Sequence, residues 1–183
     1  MRKLRQILRK VEDVQNQFSQ KEYNGIAIVE NKEVINVILD GKANIKSISV
    51  DLASIKDVTS EILEKLVIIS FVDAFQKINT EASKLMSTML GKLSSKLSKM
   101  KYPQPDKVES CESEFSGSAG GNLVNIVLNN HGNIKSITID PSVINDQAML
   151  EDLLVVSYSN AKRKFDAETS SSMSELFSGK SIF

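Results

Sequence analysis

Apolar positions follow two different periods along this chain. Leu4, Ile7, Leu8, Val11, Val14 and Phe18 fall three or four residues apart, which aligns them on one face of a helix over residues 1 to about 20. The spacing then shortens to that of strands. Tyr23 to Val29, Val34 to Leu39 and Asn44 to Val50 are short β-branched runs, and Asp40-Gly41 sits between the last two, where a tight hairpin calls for a residue tolerant of positive φ. After Asp51 a polar loop reaches Thr59 or Ser60, either of which can cap a helix start. The helix that follows carries Ile62, Leu63, Leu66, Val67, Ile68, Ile69, Phe71, Val72, Phe75 and Ile78 around much of its circumference. A helix apolar on several faces is buried on several faces, so one sheet cannot cover this one. Beyond Ile78 the pattern thins to a stripe of Leu85, Met89, Leu93, Leu97 and Met100; Gly91 weakens this helix without ending it, and Pro103 and Pro105 end it.

The same pattern then returns. Residues 44–51 read NIKSISVD and residues 133–140 read NIKSITID, with six of eight positions identical. Leu63-Glu64, Leu66, Ser70-Phe71 and Ala74 reappear as Leu150-Glu151, Leu153, Ser157-Tyr158 and Ala161. The offset is 89 residues before the intervening loop and 87 after it, so the second copy is two residues shorter in a surface loop, where deletions are tolerated. A module of this size buries barely enough surface to offset its chain entropy, so each copy is expected to lean on the other, the apolar helices serving as the shared surface. The fold class expected is α+β, a two-layer α-β-β-β-α module with a three-stranded antiparallel sheet and long helices, repeated in tandem. The copies are placed at residues 1–101 and 102–183, and residues 84–100 are a candidate for a helix common to both.

Charge separates the two copies. Residues 1–101 hold 17 Lys and Arg against 12 Asp and Glu, and residues 102–183 hold 6 against 11, so a net charge of zero conceals a basic half and an acidic half. The basic residues of the first half gather on helix faces away from the apolar seams: Arg2, Lys3, Arg5, Arg9 and Lys10 on the first helix, Lys92, Lys96 and Lys99 on the later one. Such a face suits a polyanion, through phosphate contacts that are salt-sensitive and weakly selective for sequence. No apolar run approaches the length of a membrane span, and the start of the chain lacks a signal-peptide pattern, which predicts a cytoplasmic protein.

Candidates for other chemistry are few. Cys111 is the only cysteine, which excludes an intrachain disulfide, and it is read as an inert thiol. His131, the only histidine, is read as a solvated residue of a hairpin turn. Glu64 with Glu81 and Glu151 with Glu168 stand 17 residues apart. That is about 25 Å along a helix, too far for joint acid and base work. Gly117 to Gly121 lacks the Lys-Ser/Thr ending of a P-loop and is read as a turn. No catalytic set, metal site, cofactor or small-molecule substrate is expected.

The element order and repeated strand-to-helix segment resemble the YbaB/EbfC family of bacterial nucleoid-associated proteins. The second copy carries most of the likeness: Ser116 to Gly121, Val124 to Leu128, Ile137 to Pro141, Met149 to Leu153, and Ala161 with Lys162 to Lys164. The first copy keeps Asp40-Gly41, Ile48 to Asp51, Leu63-Glu64, Ala74 and Met86. The resemblance implies a dimer that binds double-stranded DNA through basic residues on projecting helices, located at the nucleoid. Because that family normally has one module per chain, the tandem arrangement implies that the dimer has become intramolecular, with further homo-oligomers open. The competing expectation is a protein-interaction or assembly module that leaves DNA alone.

Overall fold

The computed structural model describes residues 2–97 and 113–177, and within them the side chains of residues 9, 12–88 and 113–171. The first repeat runs α1 (Arg2–Gln20), β1 (Glu22–Val29), β2 (Lys32–Asp40), β3 (Ile45–Val50) and α2 (Ser60–Leu97); the second runs β4 (Phe115–Ala119), β5 (Val124–Leu128), β6 (Ile134–Ile139) and α3 (Gln147–Phe177). Both sheets are antiparallel meanders, ordered β1-β2-β3 and β4-β5-β6. The α+β module is thus present twice. Strand alternation places one face of each sheet in the core: Gly25, Val37 and Ile48 stand side by side in the first, Gly117, Ile126 and Ile137 in the second.

The two strand glycines let the helices approach. A Cβ on Gly25 would lie 1.9 Å from the Ser70 carbonyl oxygen, and one on Gly117 would lie 2.1 Å from that of Ser157. Gly117 therefore belongs to a strand under a helix, and the turn begins only at Gly120 and Gly121, both at positive φ. At the β2–β3 hairpin the expectation for Gly41 also changes. The left-handed residue is Ala43 (φ 60°), matched by Gly132 (φ 75°) 89 positions later. Gly41 is instead needed because the Phe18 backbone packs on it, its carbonyl oxygen 1.9 Å from where a Cβ would be. The turn is held by Asp40, whose carboxylate accepts from the amides of Lys42 and Asn44.

Thr59 caps α2, accepting from the Ile62 amide, and α2 runs unbroken through Gly91. This helix is buried on more than one side, by its own strands β1 and β2 and by β6 of the sister repeat; α3 likewise lies on β4, β5 and the sister strand β3. Buried residues of both repeats form one core. At its centre Phe71 and Tyr158, equivalent positions of the two copies, meet with ring centroids 4.8 Å apart. One to two turns further on, Phe75 and Ile78 line the same cleft as Lys162 and Phe165, so the two helices run in the same direction. The expectation that Ile69 is buried fails: it is 53% exposed, because it lies round the helix on the side away from Phe71.

Each of the four sheet edges is hydrogen-bonded by helix side chains. At the outer edges, the Ile26 amide donates to Asp73 and Lys77 donates to the Asn24 carbonyl, while Asn160 and Lys164 donate to the carbonyls of Ser118 and Ser116. Burial opposes the Asp73 carboxylate, but the hydrogen bonds from Lys77 and Ile26 outweigh it and hold its carboxyl below the usual range. At the inner edges the closure crosses between repeats. Glu64 on α2 accepts from the Ile139 amide at 2.9 Å, and Glu151 on α3 accepts from the Val50 amide at 2.8 Å. An open edge offers its amides to any strand, and each of these carboxylates occupies one of them.

Candidate nucleic-acid interface

Both long helices outrun the sheets on the same side. α2 passes the turn at His131 to Asn133 and continues to Leu97; α3 passes the turn at Gly41 to Asn44 and continues to Phe177. Between their roots lies a cleft of about 410 Å³ whose lining includes the tips of both hairpins. α1 is fastened at the same end. Phe18 packs on Gly41 and against Tyr23, with ring centroids 5.9 Å apart, and Lys21 reaches Glu81 of α2 at 2.7 Å. The hydrogen bond between them raises the Lys21 ammonium and lowers the Glu81 carboxyl from their ordinary values. Both side chains keep a third or more of their surface in water, so the contact orients α1 on α2 more than it stabilises the fold.

Seven of the eight basic residues expected to contact DNA fall on these helices. Arg2, Lys3, Arg5, Arg9 and Lys10 lie on α1, and the Arg9 side chain is exposed; the other four side chains lie outside the described residues. Lys92 and Lys96 lie on α2 with side chains outside the described residues, and Lys99 lies outside them altogether. Five cations thus belong to one helix, and the Lys21–Glu81 contact ties the end of that helix to α2, whose sequence holds two more.

The basic cluster of the second repeat is differently engaged. Lys162 is buried, ion-paired with Asp166 four residues on, and stands over the Phe165 ring. Lys164 closes the β4 edge through Ser116. Two of three consecutive cations therefore serve the fold, which leaves Arg163 facing solvent.

Lys42 and His131 were not expected as site residues, yet both stand at the cleft between the helix roots. They occupy the same position of the two hairpins, 89 residues apart, each two residues after the one that organises its turn, Asp40 or Asn129. Laying the repeats over one another would have paired them.

A duplicated α+β module, joined through its helices and carrying basic helices beyond one end, is the class defined by these features. The sequence profile of the YbaB/EbfC DNA-binding family matches residues 1–93 and 103–180. The chain belongs to that family. It is similar to a nucleoid-associated protein of Xylella fastidiosa (strain Temecula1), with 39% identity over 69 residues, which is 38% of this chain and 65% of the relative. A nucleoid-associated protein of Rickettsia bellii (strain RML369-C) is 36% identical over 84 residues, 45% of this chain and 78% of the relative. A third, from Xanthomonas oryzae pv. oryzae (strain MAFF 311018), is 36% identical over 69 residues, 38% of this chain and 65% of the relative. The chain thus spans just under two thirds of the Xylella and Xanthomonas relatives. Each match is of single-module size and covers less than half of this chain, in keeping with two copies. Among the described residues no helix is long and apolar enough to cross a membrane.

Proposed function

We propose that this chain is a nucleoid-associated protein that binds double-stranded DNA as an intramolecular pseudo-dimer, without enzymatic activity, in the cytoplasm. Residues 1–101 and 102–183 act as the two halves, with residues 84–100 common to both. Arg2, Lys3, Arg5, Arg9, Lys10, Lys92, Lys96 and Lys99 contact phosphates, and no cofactor, metal or small-molecule substrate takes part. The observation that carries the reading is the reciprocal pair of hydrogen bonds, Glu64 to Ile139 and Glu151 to Val50, by which each repeat completes the other within one chain. That arrangement fixes both helices on one side, where α1 adds its cations. A charged face without groove-reading elements favours backbone contact over base recognition. Retardation of duplex DNA by the full chain across a salt series tests this. Binding that weakens steeply as salt rises is expected, and free DNA at low salt with micromolar protein would overturn it.

A further inference from the structure

We propose that this chain assembles head to tail with further copies of itself, the outer flank of α2 on one copy meeting the outer flank of α3 on the next. The flanks are apolar and uncovered. Ile69 and Val72 are 53% and 45% exposed on α2, and Met149 and Val156 are 40% and 48% exposed on α3. Ile69 precedes Phe71 by two residues, as Val156 precedes Tyr158, and two residues turn a helix by about 200°. Because Phe71 and Tyr158 face each other across the core, Ile69 and Val156 point away from each other on opposite sides of the molecule.

Charge selects the pairing. Lys65 and Asp152 occupy equivalent positions one turn before Ile69 and Val156; both are exposed, and neither makes an ion pair among the described residues. The two helices run in the same direction, so translating one copy onto the next sets α2 beside a parallel α3. Lys65 then faces Asp152 while Ile69 faces Val156. A flank laid parallel on its own kind would set Lys65 against Lys65 or Asp152 against Asp152, whereas the heterologous contact joins opposite charges. Such a contact does not close on itself and gives an open row. The row would keep the helix ends of all copies on one side.

Sedimentation of the full chain over a concentration series without DNA tests the proposal independently of DNA binding. Mass rising steadily with concentration is expected, and a monomer at every concentration would overturn it. Lys65→Asp and Asp152→Lys should each raise the concentration needed by roughly tenfold or more, since like charges then meet across the contact. Mixing the two variants should restore assembly, because every interface between one variant and the other again joins opposite charges. A discrete dimer, or a variant that assembles like the unmodified chain, would overturn the head-to-tail pairing. Each variant's unfolding midpoint should match the unmodified chain, which separates impaired assembly from impaired folding.

Discussion

The Phe71 and Tyr158 rings meet 4.8 Å apart at the centre of the molecule, although the two residues occupy the same position of a repeated module. Two identical modules would place the same side chain there twice. Here the second copy adds a hydroxyl, which donates to the Ala43 carbonyl of the first copy at 2.7 Å. The halves have diverged where they touch. Lys162 stands where the first repeat has Phe75, buried against Phe165 and paired with Asp166, so the cleft between the helix roots is apolar on one side and ionic on the other.

Tyr158 gives the protein an alkaline limit. Burial first, then the nearby Asp166 and Asp40 charges, push its phenol well above the ordinary value of 10.0. A folded-state value above the unfolded one means that stability is complete below pH of about 10 and declines as pH rises further, by about 1.4 kcal/mol per pH unit. Tyr158→Phe should cost about 1 kcal/mol at neutral pH by removing the hydrogen bond to Ala43. That deficit should shrink as pH climbs past about 10. Urea midpoints for both proteins between neutrality and pH of about 11 check this; a deficit constant across the range would place the alkaline titration elsewhere.

Glu64→Ala and Glu151→Ala each strand a strand-edge amide, at Ile139 and Val50 respectively. Each should lower unfolding free energy by about 1–3 kcal/mol, and the Gln replacements, which keep a carbonyl acceptor, by less. Chemical denaturation measures the difference. Alanine variants as stable as the unmodified chain would show that the inter-repeat hydrogen bonds contribute nothing.

Neighbouring apolar residues of α2 should respond in opposite ways to a charge. Val67 is 1% exposed and Ile69 is 53% exposed. Val67→Asp buries an unpaired carboxylate, costs several kcal/mol and should abolish the folded state or leave it marginal. Ile69→Asp should fold normally. Circular dichroism melting of the two proteins decides the matter, and equal damage from both would contradict the orientation of the helix.

Much of the fold was legible because the two periods of apolar positions and the internal repeat both constrain it. The strand runs at Tyr23, Val34 and Asn44 became β1 to β3 within two residues. The all-round apolar character of Ile62 to Ile78 correctly implied burial on more than one side, but periodicity alone could not say which residue of a nearly continuous run faces water, hence the error at Ile69. Glu64 and Glu151 are visible as a repeated Leu-Glu pair, and spacing along one helix relates each only to acids of that helix. Their partners are backbone amides of the other repeat, 75 and 101 residues away, which no local spacing reveals. Gly41 has the sequence signature of a turn former because it follows Asp40. Its requirement comes from α1 crossing the hairpin, a tertiary contact. The basic helices were legible as charge patterns, whereas Lys42 and His131 come together only when both hairpins meet at the root of the helices.

The central claim is that DNA is held electrostatically by the first-half helices. Changing Arg2, Arg5 and Arg9 together to Gln removes three of the five α1 cations and preserves helix propensity. The measurement is duplex DNA affinity against salt for the full chain and this variant. The expected result is a plot of log affinity against log salt flatter by about 0.9 for each phosphate left without its cation, with the unfolding midpoint unchanged. An unaltered slope and affinity in the folded variant would contradict the claim and move the binding face off α1.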